Sequence, residues 1–200
     1  VLKIYSYTCP DLTLIDLPGI TRIPLKGSDQ PENIEEITKS MCLRYAHDIR
    51  TIILCVIPAN IDLTTSEALQ MAKAEDPKMI RTIGVITKID IMDKGTNCRK
   101  ALLGEEVQMR LGFVGIVNRS QADIQGNMRV TKAIEKEREY FSTHPVYGML
   151  PGEVLGTGSL TKKLTKVMHA HIRSSIPDIL KDIEGKLQEV ISRLSDIGPA

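Results

Sequence analysis

Tryptophan is missing from this 200-residue chain, and phenylalanine occurs only twice. Aromatics make up 4%, which argues against a stacked-ring surface for single-stranded nucleic acid. No charge of one sign dominates: 26 Lys plus Arg stand against 25 Asp plus Glu, for a net charge of +1. That balance excludes a bulk electrostatic sponge for nucleic acid and leaves only a local basic patch open. No apolar run approaches the roughly 18 residues that cross a bilayer. The longest, Thr51 to Ala59, has the length of a buried strand, and no basic-then-apolar leader follows Val1. The four cysteines, Cys9, Cys42, Cys55 and Cys98, form no CxxC pair, so a zinc site is not expected. Free thiols in a reducing compartment are expected instead, with Cys55 packed as a small hydrophobe. What is present is ordinary globular material, 42% hydrophobic and 26% charged, enough for one good-sized domain or a domain with an appendage.

Two textures alternate over the first three quarters. Short β-branched runs occur at Leu12–Ile15, Thr51–Ile57, Thr82–Ile86 and Phe113–Val117, each the length of one strand and largely apolar on both faces. Val1-Leu2-Lys3-Ile4-Tyr5 reads as a further strand ahead of them. Between the runs lie helical spacings. Glu32 to Ala46 aligns Ile34, Ile37, Met41 and Tyr45; Thr65 to Ala74 aligns Ala68, Leu69 and Ala72; Val130 to Phe141 aligns Ile134 with Phe141. The charges Lys132, Glu135, Lys136, Glu137, Arg138 and Glu139 read as a solvated face, and His144-Pro145 as a helix stop. The pattern predicts an α/β fold, a mostly parallel sheet flanked by helices, with ligands at the carboxyl ends of its strands.

The last quarter turns helical for about forty residues, far beyond a strand. Gly158-Ser159 is the expected start, with Ser159 or Thr161 as cap. Leu160, Leu164, Val167, Met168, His171 and Ile172 form one stripe; Pro177 interrupts it, and Ile179, Ile183, Leu187, Val190, Ile191 and Leu194 resume it. A stripe that outlasts its sheet needs a partner, so the helix is expected to leave the domain at Pro177 and join an incomplete helical bundle.

The segments that follow the apolar runs carry the chemistry. Asp16-Leu17-Pro18-Gly19 comes first. A carboxylate beside a Gly-ended turn suits a Mg²⁺–phosphate site: Asp16 can hold a metal-bound water, and the bare Gly19 amide can approach a terminal phosphate. Thr87-Lys88-Ile89-Asp90 comes after the third run. Asp90 can accept from the N1–H and N2–H₂ of guanine, donors that adenine lacks, while the Lys88 stem lies over the purine. Asn118-Arg119-Ser120-Gln121 comes after the fourth. A backbone amide there can meet guanine O6 while side chains close over the sugar. Each alone is a weak signal and reads first as a plain polar turn. Their order after successive strands points to a guanine-nucleotide site.

These residues resemble the dynamin superfamily of large GTPases. Asp11 through Thr21 resembles its second switch, and Asp29-Gln30-Pro31, Pro58 through Leu63, Glu75-Asp76-Pro77, Arg81 through Asp90, Val117 through Gln121 and Phe141 through Pro145 match it as well. The likeness continues through His171-Ile172-Arg173 and Ile176-Pro177, over nearly the whole chain. It implies GTP and Mg²⁺ as cofactors, with Asp16 the metal-side residue through water. Asp16, Gly19 and Asp62 are then the candidate catalytic residues, Asp62 in a loop that reaches across a dimer of GTPase domains. The nucleotide set is Asp16, Gly19, Thr87, Lys88, Ile89, Asp90, Asp93, Asn118, Arg119, Ser120 and Gln121, with Asp93 helping to hold base and ribose. Residues 1–176 are expected to be a partial dynamin-type GTPase domain, and 177–200 a helix entering the signalling bundle and stalk, with Pro177 the hinge. The loop around Leu25-Lys26-Gly27-Ser28 is about two residues longer than in conventional dynamins.

Two departures carry consequences. Ile20 follows Gly19, where small GTPases place a water-orienting Gln, so another group must position the water. The chain also holds no GxxxxGK[ST], so the phosphate loop and first switch are expected upstream of Val1, in a longer protein. The expected function of that parent is GTP hydrolysis coupled to self-assembly and membrane remodelling, in the cytoplasm and peripheral to membranes. Its partners would be guanine nucleotide, further copies of itself, membrane through regions outside this chain and, as an open option, microtubules, with no nucleic acid. An antiviral-type dynamin-like GTPase and a catalytically silent assembly module are the alternatives.

Overall fold

The computed structural model describes residues 2–7, 13–21, 23, 24, 27, 29–93 and 95–198. The expectations that rest on Val1, Cys9, Asp11, Leu12, Leu25, Lys26 and Ser28 lie outside the described residues. The chain divides into two compact units, residues 1–162 and 163–200.

The first unit is an α/β layer structure. In chain order come α1 (Ile34–Ala46), β1 (Ile53–Pro58), α2 (Glu67–Glu75), β2 (Thr82–Thr87), α3 (Arg99–Leu102), β3 (Phe113–Gly115), α4 (Gln121–Gln125) and α5 (Val130–Thr143). The start of α6 (Thr157–Ile197) closes the unit. The three strands form one parallel sheet in the order β1-β2-β3, with Ile53 opposite Thr82 and Gly84 opposite Phe113. β2 is buried at every position, as its unbroken β-branched run requires of a central parallel strand. β1 is an edge strand: Cys55 and Ile57 face the core, while Leu54 and Val56 stand exposed on the other face.

The larger core gathers Cys55, Ile57, Leu69, Ala72, Ile86, Ile89, Leu102, Phe113, Phe141 and Tyr147 on one side of the sheet. Each such side chain removed from water contributes roughly 1.5–3 kcal/mol. Gly84 makes that packing possible, because a Cβ on it would overlap the Phe113 ring. On the opposite side Val85, Val114 and Ile116 form a small cluster under Leu160.

The amino end of β2 is fastened by polar groups. The Arg81 guanidinium is buried and donates to the carbonyls of Thr51 (2.8 Å), Ala46 (2.8 Å), Glu75 (2.8 Å) and Asp48 (3.3 Å). Ala46 and Glu75 end α1 and α2, so the cation meets two helix C-termini. Asp76 accepts from the amides of Ile80 and Arg81 and from the Thr82 hydroxyl. The sheet is thereby locked at one end, and its opposite, carboxyl end is left to loops.

Several expectations change. Residues 2–5 and 13–15 are not strands: among the described residues none pairs with the free edge of β1. A β-branched run becomes a strand only where a neighbour satisfies its backbone groups. The fourth run ends its ladder at Gly115, although the Ile116 amide still donates to Ile86. The α1 stripe is only half covered, since Met41 and Tyr45 are 40% exposed and Thr38 is the buried residue. Glu137 does not join a solvated face; it is 3% exposed. His144 caps α5 as expected.

α6 begins at Thr157, before the expected caps. Ser159 and Thr161, inside the first turns, donate their hydroxyls to the carbonyls of Gly152 and Thr157. The helix runs through Pro177 without stopping. Proline costs one amide bond and crowds the preceding turn, and the hydroxyls of Ser174 and Ser175 both donate to the His171 carbonyl just upstream. Within residues 163–200, Ile172, Ile176, Leu180, Ile183, Leu187, Val190 and Leu194 stay between 46% and 66% exposed. No helix among the described residues is long and apolar enough to cross a membrane.

Candidate functional site

The carboxyl ends of β1, β2 and β3 each lead into a segment singled out from the sequence. After β2 the chain makes a turn in which Thr87 and Ile89 are buried while Lys88 and Asp90 are exposed. The Thr87 carbonyl accepts from the Ala59 amide at 2.7 Å, which ties this turn to the end of β1. Lys88 has φ +59° and ψ +31°, the left-handed region that a lysine seldom adopts. Such a conformation persists only where its surroundings over-determine it. Here the Ile89 side chain sits 2% exposed in the core, its carbonyl accepts from the Tyr140 hydroxyl at 3.3 Å, and Gly115 leaves the space its Cδ1 fills. Ile89 is an anchor, and Lys88 and Asp90 are turned outward by it.

The floor beneath is aromatic. Tyr140, Phe141, His144 and Tyr147 stack and abut within one cluster. The Tyr147 hydroxyl donates to Met92 Sδ and accepts from the Cys98 amide at 3.1 Å. Burial raises the Tyr147 phenol well above its ordinary range, and burial likewise raises the thiols of Cys98 and Cys55, the latter to about 12. Cys42, Cys55 and Cys98 are all free, and the buried pair are packing residues rather than nucleophiles.

After β3 the exposed loop Asn118–Gln121 is held by its own side chains. Ser120 caps α4 and exchanges bonds with Asp123, while Lys136 of α5 reaches Asp123 at 3.0 Å. The Ser120 bonds first, and then Lys136, hold the Asp123 carboxyl down to about 2. Arg119 donates to the Met128 carbonyl at 3.0 Å. Both side chains set the shape of the loop, so what the loop offers outward is its backbone and Asn118. Gln121 opens α4.

After β1, Asp62 accepts from the Thr64 amide and hydroxyl, both at 2.8 Å, which lowers its carboxyl below the usual range. A cavity of about 510 Å³ opens beside it, lined by Pro58, Ile61, Asp62, Asn97, Cys98 and Glu106 among others. Asp93 is exposed, and its carbonyl accepts from Thr96.

The structure therefore brings Asp62, Thr87–Asp90 and Asn118–Gln121 to one end of one sheet. It does not place Asp16 and Gly19 on a strand: both are exposed in an irregular segment, where the Thr21 hydroxyl donates to the Gly19 carbonyl. No three His, Cys, Asp or Glu side chains gather into a metal-holding group among the described residues. A lone carboxylate reaching the ion through water is the contribution a Mg²⁺ ion needs when phosphates supply the rest. Pro177 lies inside α6, in the second unit.

One residue close to this end was missed. Glu137 was grouped with its charged neighbours, yet it stands three residues after Ile134 and four before Phe141, on the apolar stripe of α5. That register was the available signal.

Comparison with known proteins identifies the family. The model described as "Dynamin family" matches residues 1–89, and that described as "Dynamin central region" matches residues 97–200. Dynamin-A of Dictyostelium discoideum is 44% identical over 197 residues, covering 98% of this chain and 23% of its own length. Dynamin-related protein 3A of Arabidopsis thaliana is 48% identical over 186 residues, 93% of this chain and 23% of its own. Dynamin-2 of Bos taurus is 44% identical over 186 residues, 93% and 21% respectively. The chain thus spans about a quarter of the length of these relatives. With both family models matched in succession and the strand ends arranged as described, the chain belongs to the dynamin superfamily.

Proposed function

We propose that the end of the sheet formed by Thr87–Asp90 and Asn118–Gln121 binds the guanine base of GTP, and that the parent protein hydrolyses it. The observation that carries this reading is the Thr87–Asp90 turn: a left-handed Lys88 between two buried anchors leaves a lysine stem and a carboxylate outward at the end of the central strand. Asp90 accepts from the two guanine donors, Lys88 covers the purine face, and a backbone amide of the Asn118 loop meets O6. Asp93 borders base and ribose. Asp16 and Gly19 address the metal and the terminal phosphate, and GTP with its Mg²⁺ supplies the phosphoryl chemistry once bound. Ile20 cannot orient water, so that task falls to groups beyond these 200 residues, helped by Asp62 across a dimer.

Among the described residues the outer edge of β1 has no partner strand, which with its exposed Leu54 and Val56 supports a further strand and helix beside it, where a phosphate loop would sit. The exposed apolar row from Ile172 to Leu194 supports packing into a helical bundle, with Pro177 as the joint, and so self-assembly coupled to membrane remodelling. The test is nucleotide competition on the full-length protein. GTP should displace a bound guanine nucleotide at concentrations where ATP does not, and Asp90→Asn should narrow that difference. Selectivity unchanged by the substitution removes Asp90 from the base.

A further inference from the structure

Glu137 is a carboxylate buried in α5 within reach of two other segments. Its Oε1 accepts from the Val117 amide at 2.9 Å and from the Thr157 hydroxyl at 3.0 Å, and its Oε2 accepts from the Thr157 amide at 2.8 Å. Val117 is the last residue before the Asn118–Gln121 loop. The sheet ladder has already ended there, the Ile116 amide being the last to donate to β2. Glu137 supplies the acceptor that a further strand residue would have found in a neighbour. Thr157 is the first residue of α6, so the same carboxylate serves as that helix's N-terminal acceptor, where the helix field favours a negative charge. Gly156, at φ +86°, turns the chain into this contact, and its amide donates to the Gly115 carbonyl at 2.8 Å. The preceding residue on α5, Lys136, braces the other end of the loop through Asp123.

We propose that Glu137 is a positioning residue for guanine-nucleotide binding, fixing the Asn118–Gln121 loop through Val117 and making that loop and the first turn of α6 depend on one carboxylate. The inference rests on the base-binding reading above. It follows from charge-assisted bonds that are shared: a shift of Val117 that lengthens one bond to Oε1 also loosens the Thr157 bonds. By reciprocity, nucleotide that orders the loop must order the first turn of the helix, and loss of the carboxylate must weaken nucleotide.

The test uses the full-length protein with Glu137→Gln, Thr157→Val and Thr157→Ser. The readouts are affinity for a fluorescent GDP and amide hydrogen exchange over residues 157–160, with and without GDP. Glu137→Gln puts an N–H₂ where an acceptor stood and should weaken GDP by about tenfold, in line with the loss of a bond to a charged group. Thr157→Val should weaken it less, and Thr157→Ser should restore it. GDP should slow exchange at 157–160 in the wild type and fail to do so in Glu137→Gln. Wild-type GDP affinity in both Glu137→Gln and Thr157→Val, or exchange at 157–160 indifferent to GDP in the wild type, overturns the proposal. Should Glu137→Gln not fold, the Thr157 pair decides by the same criteria. A wild type that does not prefer GDP to ADP sinks the base-binding reading and this inference with it, and is seen in the same titration before any variant is compared.

Discussion

At the scale of single residues, buried polar groups decide more than their number suggests. Arg81 fastens two helix ends and the start of β2 through four carbonyls. Arg81→Met removes the cation and leaves those partly buried carbonyls without this donor, a loss of about 1–3 kcal/mol. Chemical denaturation should show the midpoint falling accordingly, and an unchanged midpoint would contradict the role. Asp123 gives a pH signature. Its bonds from Ser120, and then from Lys136, depress its carboxyl from the ordinary value to about 2. The stabilisation is therefore complete above the unfolded value of about 3.9 and fades as pH falls through about 2. NMR titration of that carboxyl should place its midpoint below those of exposed aspartates, and the Ser120 amide should move with it. Residue-level legibility was uneven for a physical reason. Thr87-Lys88-Ile89-Asp90 announced its chemistry by residue type, whereas Glu137 differs from Glu135 and Glu139 only in register, and register matters only once a helix has a neighbour.

At the scale of elements, the parallel sheet was the most legible feature. Runs such as Thr82–Ile86 and Phe113–Val117 have no apolar face to spare for water; the first became β2 nearly as read, and the second became β3 over Phe113–Gly115 only. Thr13–Ile15 has the same texture and is not a strand, because a strand requires a paired neighbour as well as a propensity. The same separation of local signal from context explains α6: its length was evident, but its start at Thr157 depends on an acceptor twenty residues away. Packing between β2 and β3 yields a sharp test. Gly84→Ala drives a methyl into the Phe113 ring, so it should cost about 1–3 kcal/mol as overpacking usually does. Phe113→Leu in the same background should recover part of the loss by opening the space; no recovery in thermal unfolding would show that the two positions do not compete for one volume.

At the scale of the whole molecule, the chain spans about a quarter of its relatives' length, so the proposed activity is tested on the full-length protein. If Asp62 acts across a dimer of GTPase domains, turnover per molecule in the parent should rise with protein concentration. Asp62→Ala should flatten that rise while leaving guanine affinity in place; turnover independent of concentration would remove the dimer from the account. The central claim is narrower, that Asp90 reads the base, and one measurement addresses it directly. Xanthine carries a carbonyl where guanine carries its N2 amine, so an asparagine amide can donate where the aspartate accepted. Competition between GTP and XTP on the full-length protein should therefore favour GTP in the wild type and shift toward XTP in Asp90→Asn. An unaltered GTP:XTP preference in that variant would mean that the end of β2 does not meet guanine.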